Sequence, residues 1–223
     1  MPEISAAQLW VIPAFLLALT VHEFAHALIA ERMGDPTARM MGRVTLNPLP
    51  HIDPIGTVIL PAVLIIAGSP FVFGWAKPVP VNPYNLRNPK RDMIWISLAG
   101  PAANLVFAFV CGLLLRVVFV FSESGPLVFV LAWAVMVGLV LAAFNLIPVP
   151  PLDGSGILKG LLPDSMQEGY AKYERYGFLI LLGLFTLGQS IISLIVGPFV
   201  GIFLWLFTGK SMFFIFKLMG VWR

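Results

Sequence analysis

Long apolar runs separated by short polar segments constrain this chain more than any other feature. A helical membrane span needs about 20 mostly apolar residues. Runs of that size lie at Leu9 to Ala30, Ile55 to Ala76, Met93 to Leu115 (reaching Phe121 past Arg116) and Pro126 to Ile147. A longer apolar block runs from Gly177 to Phe207. Only 11% of the 223 residues are charged, against about 25% in an ordinary soluble domain. Too few charges remain to cover a soluble surface, and 59% apolar residues are incompatible with a disordered chain. The expectation is an all-α polytopic membrane protein with about five transmembrane helices plus a re-entrant hairpin, or six spans. No connecting segment is long enough for a second domain, so residues 1–223 read as one unit.

The remaining composition narrows the partners. Cys111 is the one cysteine, so no internal disulfide is possible. A formal charge of +3 suits anionic lipid headgroups and gives no case for nucleic acid. The first apolar run carries His22, Glu23 and His26, which a cleaved signal segment would not, and no basic stretch precedes it. It reads as a retained span.

Three segments call for other structure. Asp35 to Pro54, with Arg39 to Leu46 at its centre, fits short β-strands at the membrane edge. Lys77 to Arg91 is basic and proline-rich, a solvent-side loop. The block Gly177 to Phe207 is long for one span, and Gly197-Pro198 suggests two helices breaking there. The apolar, basic tail from Lys210 to Arg223 extends the last helix or lies at the interface.

His22-Glu23-Phe24-Ala25-His26 is an H-E-x-x-H motif. The i,i+4 spacing puts both imidazoles on one helix face, where they can share a metal ion. Zinc accepts imidazole and acidifies a bound water, and Glu23 is placed to take that proton. Each ionisable group inside a span is costly, which weighs against a mere packing cluster. A catalytic zinc usually has a third protein ligand. The candidates are His51 and the acids outside the first span. Asp153 is the strongest, because Pro148, Pro150 and Pro151 deny the preceding stretch a regular helix and irregular backbone at this depth belongs where it lines a cavity. His51 reads as an interfacial loop residue.

At these residues the chain resembles the site-2 protease family of intramembrane zinc metalloproteases, in its compact prokaryotic form. Three motifs carry the likeness: His22-Glu23-x-x-His26; Ser97-Leu-Ala-Gly100-Pro101-Ala-Ala-Asn104; and Asn145-x-x-Pro148-x-x-x-Leu152-Asp153-Gly154. The resemblance implies His22, His26 and Asp153 as ligands of one catalytic Zn2+ and Glu23 as the acid/base. It also implies cleavage of a peptide bond in or near a substrate's transmembrane helix. It covers about residues 9–160, the catalytic core; the C-terminal helices, about 176–220, match nothing functional. Neither a PDZ nor a CBS module is present in the sequence. Asn104 sits early in an apolar helix that the family reading places beside the metal. It can orient Glu23, hold the water or stabilise an oxyanion, or simply join two helices. Asn145 can contact substrate backbone or support the broken loop.

The metal site decides the expected topology. If Ile55 to Ala76 crosses fully, the histidines and Asp153 fall on different sides. A re-entrant hairpin turning at Gly68-Ser69-Pro70 brings them together, with the active site toward the cytoplasmic side of the cell membrane. Two spans within Gly177 to Phe207 would then return Lys210, Lys217 and Arg223 to the cytoplasm. The partners are a membrane-protein substrate and the bilayer, with strands at Arg39 to Leu46 offering an edge to an unwound substrate. A metal-ion or proton-coupled transporter is the alternative, and a non-catalytic membrane scaffold is a third reading. No paired inverted halves are visible, and Glu23 is placed as a water base.

Overall fold

The computed structural model describes residues 9–67 and 74–221. Helix α1 is Val11–Arg32, and its end follows from local chemistry. Gly34 takes φ 111°, a value that favours glycine. Its N–H donates to Glu31 O at 3.0 Å, and the Asp35 N–H donates to Ala30 O at 3.0 Å. The last carbonyls are thereby satisfied as the chain reverses.

A short helix α2, Thr37–Met40, follows, then a single 3-10 turn at Leu49–His51. A π-helical turn at Pro54–Ile59 leads into α3, Leu60–Ile66. The described residues contain no β-strand, which corrects the expectation of edge strands between Asp35 and Pro54. A strand must pass its backbone groups to a neighbour, and here they are taken locally. The Arg43 N–H donates to Ala38 O at 2.8 Å. The Arg39 guanidinium turns back onto Glu31, and the Arg43 guanidinium donates to the Lys77 carbonyl. With no strand edge there, pairing with an extended substrate at Arg39 to Leu46 loses its basis.

The segment from Ile55 returns to where it started. The Trp75 N–H donates to Gly56 O at 3.1 Å and the Lys77 N–H to His51 O at 2.9 Å. The Thr57 hydroxyl donates to Trp75 O at 2.8 Å. The Gly68-Ser69-Pro70 turn expected from the sequence lies outside the described residues.

Helix α4, Pro89–Phe121, is the longest. Its start is fixed reciprocally: Asn88 Oδ1 accepts from the Arg91 N–H at 3.2 Å, and Asp92 Oδ2 accepts from the Asn88 N–H at 2.8 Å. Helix α5, Pro126–Asn145, runs back. An irregular stretch leads to α6, Asp153–Leu161, followed by α7, Gln167–Glu174. Four helices are long and apolar enough to cross a membrane among the described residues: Val11–Arg32, Pro89–Phe121, Pro126–Asn145 and Ser190–Thr208. The protein is therefore an all-α, multi-pass membrane protein.

The C-terminal third departs from expectation. Helix α8 is Gly177–Thr186 and α9 is Gln189–Thr208, so the break falls at Leu187-Gly188 and not at Gly197-Pro198. Pro198 is carried inside α9. A membrane helix tolerates proline when neighbours accommodate the freed carbonyl, and α9 packs along α5 and α4. At 10 residues, α8 is too short to span. Helix α9 ends beside the far end of α4, where the Arg116 guanidinium donates to the Leu206 carbonyl. Lys210 lies over the Phe119 ring at 5.5 Å, and α10, Met212–Leu218, follows. Lys210 therefore sits at the end of the bundle opposite Lys90, contrary to the expectation that the tail rejoins the Lys77 to Arg91 side.

One buried acid ties the polar connections together. Asp35 accepts from the Thr37 N–H at 3.1 Å, the Asn82 N–H at 2.7 Å and Asn85 Nδ2 at 2.9 Å. Burial alone would raise its carboxyl; hydrogen bonds from Asn85, Thr37 and Asn82 outweigh that and hold it below the usual carboxylate range. Such a group stabilises the fold above its unfolded pKa, and the contribution is lost as pH falls through the lower folded value. The thermal midpoint of the wild type should therefore exceed that of Asp35→Asn by several degrees at pH 7, with the gap closing below about pH 4. A gap unchanged between pH 7 and pH 3 would refute this account of Asp35.

Candidate metal centre

The two histidines stand one turn apart on the inner face of α1, and both are buried. Their Nε2 atoms approach to 3.0 Å. Asp153, first residue of α6, meets the pair from the other side of the bundle. Its Oδ2 lies 3.1 Å from His22 Nε2 and its Oδ1 3.3 Å from His26 Nε2. One ligand atom from each residue falls within 4.8 Å of the others. Among the buried side-chain atoms without a hydrogen-bond partner is Asp153 Oδ2. A carboxylate whose two oxygens each face an imidazole nitrogen, one of them buried with no hydrogen-bond partner, is a setting that a cation would complete. Two imidazoles and one carboxylate are a donor set that zinc accepts, so the residues present fit the ion.

Helix α4 supplies the back wall. Gly100 faces the histidines: a methyl group there would stand 2.6 Å from His22 Nε2 and closer still to His26 Nε2. The Ile96 carbonyl, one turn earlier, accepts a hydrogen bond from His26 Nδ1 at 2.7 Å. Pro101 lies in the same stretch of α4 and removes the donor that Ser97 O would otherwise receive. Asn104, 0% exposed, places its amide 3.1 Å from His22 Nδ1.

The other sequence candidates fall differently. Glu23 is buried between the histidines in sequence. Asn145 donates to Leu141 O of its own helix at 3.0 Å, so its amide nitrogen serves the end of α5. His51 is fully buried, but its Nε2 is engaged by the Thr45 carbonyl at 2.9 Å and it is not in the cluster. Asp164 is exposed and pairs with Lys90 at 2.7 Å. Sequence reasoning missed Arg43, whose side chain is buried, has an unpartnered Nε and lies within Coulombic reach of Glu23. A single arginine in a polar connection carries no pattern that would single it out. The Ile96 carbonyl was likewise invisible, because any residue type could supply it.

Residues 120–188 match peptidase family M50. Over 184 residues the chain is 37% identical to "Putative zinc metalloprotease YwhC" of Bacillus subtilis, covering 79% of this chain and 80% of that protein. The chain belongs to peptidase family M50. It is also 32% identical to "Putative zinc metalloprotease Rip2" of Mycobacterium tuberculosis, covering 88% of this chain and 72% of that protein. "Zinc metalloprotease MJ0392" of Methanocaldococcus jannaschii is 32% identical over 50% of this chain and 34% of its own length. No solved structure matches. With a zinc-competent His-His-Asp cluster inside a bundle of apolar spans, this M50 member is a zinc-dependent intramembrane endopeptidase. The carrier and scaffold readings are set aside by that membership.

The close approach at Gly100 has a direct consequence. Gly100→Val should leave the chain helical and membrane-inserted but unable to hold the ion in the cluster. Zinc content after equilibration with a competing chelator should fall well below the wild-type value. Wild-type zinc retention by Gly100→Val would show that the ion sits elsewhere.

Proposed function

We propose that His22, His26 and Asp153 are the protein ligands of one catalytic zinc ion, and that Glu23 is the acid/base of peptide-bond hydrolysis. The observation that carries this reading is the convergence of two Nε2 atoms on the two oxygens of one carboxylate, His22 on Oδ2 and His26 on Oδ1. Bound there, zinc supplies a polarised scissile carbonyl and an acidified water. Glu23 would accept a proton from the attacking water as its oxygen bonds the scissile carbon, and deliver it to the amide nitrogen as the C–N bond breaks. Asp153 brings the negative charge that offsets part of the ion's. The Ile96 carbonyl holds the His26 ring so that Nε2 keeps its lone pair. Asn104 supports the centre from behind His22, and Asn145 steadies the end of α5 where the chain turns to Asp153. Residues 9–160 form the catalytic core within a single domain, and the C-terminal helices flank it.

The substrate is a membrane protein cleaved in or near a transmembrane helix. That helix must unwind locally, because its carbonyls are shielded by their own hydrogen bonds. The active site opens toward the cytoplasm. Helix α1 ends, and α4 begins, at the end of the bundle that holds the metal cluster. Among the described Lys and Arg residues, all but Arg116, Lys210 and Lys217 belong to the segments at that end. The positive-inside rule makes that end cytoplasmic.

The roles separate in one set of variants, assayed for metal and for cleavage of a single-span substrate in the same detergent sample. Glu23→Gln should keep zinc and lose activity by at least about 100-fold, the scale of a lost acid/base. Asp153→Asn should lose zinc affinity, while Asp164→Ala and His51→Ala keep it. Near-normal turnover by zinc-loaded Glu23→Gln removes that residue as the base. Wild-type affinity in Asp153→Asn removes it as a ligand.

Orientation has its own measurement. A cysteine introduced near Asp35, in a Cys111→Ala background, should be protected from a membrane-impermeant thiol reagent in intact cells and labelled in inverted vesicles. Labelling in intact cells would reverse the assignment.

A further inference from the structure

The two imidazoles are held from behind by different groups. His26 Nδ1 faces the Ile96 carbonyl oxygen at 2.7 Å. A carbonyl only accepts, so Nδ1 carries the proton and Nε2 is left with a lone pair for a metal. His22 Nδ1 faces the Asn104 amide at 3.1 Å instead. A half-turn about the last side-chain bond exchanges the oxygen and nitrogen of an amide, and the two differ little in size.

The two orientations have opposite consequences for the site. With the amide nitrogen forward, His22 Nδ1 accepts and the ring proton moves to Nε2, the atom 3.1 Å from Asp153 Oδ2. A protonated Nε2 cannot ligate. That orientation leaves Asn104 Oδ1 buried without a partner; the opposite one turns the amide nitrogen into the same place, so the choice between them falls to the ligand chemistry at Nε2. With the oxygen forward, Oδ1 accepts from His22 Nδ1–H, and both Nε2 lone pairs face Asp153. The amide engages the back of the ring, away from the carboxylate, so it does not stand where an oxyanion would form.

We infer that Asn104 is the positioning residue for His22: in the metal-loaded enzyme its Oδ1 accepts from His22 Nδ1–H and fixes the tautomer that ligates. The inference rests on the zinc site proposed above. It replaces the four roles open to Asn104 from the sequence with one, and makes the amide the counterpart of the Ile96 carbonyl. The partners differ in kind. Ile96 O admits one His26 tautomer, whereas the amide admits both for His22 and selects the ligating one only when its oxygen is forward.

The test compares Asn104→Asp with Asn104→Leu in the full-length, detergent-solubilised protein, measuring zinc affinity by chelator competition. Aspartate keeps the acceptor and loses the donor; leucine keeps the approximate volume and loses both. A packing role alone would favour leucine over a buried carboxylate. The tautomer role gives the opposite order: affinity within a few-fold of wild type for Asn104→Asp, and a loss of about 10–100-fold for Asn104→Leu. Wild-type affinity in Asn104→Leu, or an equal loss in both variants, overturns the inference. Should the leucine variant not fold, Asn104→Ala takes its place in the same competition, with the same expected loss. His22→Ala separates the two levels of the argument. If it retains wild-type zinc, the proposed site itself fails; if it loses zinc while Asn104→Leu does not, only the role of Asn104 fails.

Discussion

The structure depends on bringing a half-buried carboxylate against two buried imidazoles in an apolar bundle. An ionised group in such surroundings is tolerated only when its charge is met, and here the meeting groups come from residues more than a hundred positions apart. The Nε2-to-carboxylate distances of 3.1 and 3.3 Å require α1 and the start of α6 to reach the same depth, with no side chain between them. Gly100 satisfies the second condition by offering backbone hydrogen where any Cβ would strike the rings. The stretch around Pro148 satisfies the first. It reverses the chain after α5, so that Gly154 comes to rest against the Leu146 and Ile147 carbonyls. A methyl group on Gly154 would meet Ile147 O at 2.5 Å. Asp153 is held against the histidines by its neighbour's lack of a side chain.

That requirement explains what was legible in the sequence. The meeting of the histidine pair with Asp153 was readable because a shared ion demands an i,i+4 spacing of the imidazoles, and because the prolines before Asp153 break the helix where a cavity can form. The spans at α1, α4 and α5 were readable because lipid demands continuous apolar length. The strand expectation failed because the polar connection from Asp35 to Pro54 has strand-like composition but no neighbouring strand. Its backbone groups are taken by local turns, and its arginines by Glu31 and the Lys77 carbonyl. Partnership of that kind is a tertiary fact that no local pattern encodes.

The misplaced break near the C-terminus has a related cause. Gly197-Pro198 looks like an interruption because proline lacks a donor, yet α9 runs through it. The cost of one free carbonyl is small beside the packing of α9 along α4 and α5, where Val200, Leu204 and Phe207 join the main core. The break occurs at Leu187-Gly188, where the exposed Leu187 gains no comparable contact. Packing against neighbours, rather than intrinsic propensity, decides which interruption a membrane helix tolerates.

The same logic separates the two ends of the bundle. At the metal end, polar groups are matched in detail: Asp35 with its four donors, the Arg43 side chain with the Lys77 carbonyl, and Lys159 with Glu174 at 2.7 Å. At the far end, Arg116 and Lys210 rest on a carbonyl and on aromatic faces, contacts that anchor a helix at an interface without enclosing a cavity. Dense, specific pairing is needed where connecting segments must surround a water-dependent reaction inside a bilayer. Loose anchoring suffices where the helices only have to stop. Among the described residues of the connections between Asp35 and Lys77, no side chain belongs to the cluster, and their polar groups are spent on holding those connections against the bundle. Arg43 links them to the site, for its guanidinium lies within Coulombic reach of Glu23 while donating to the Lys77 carbonyl.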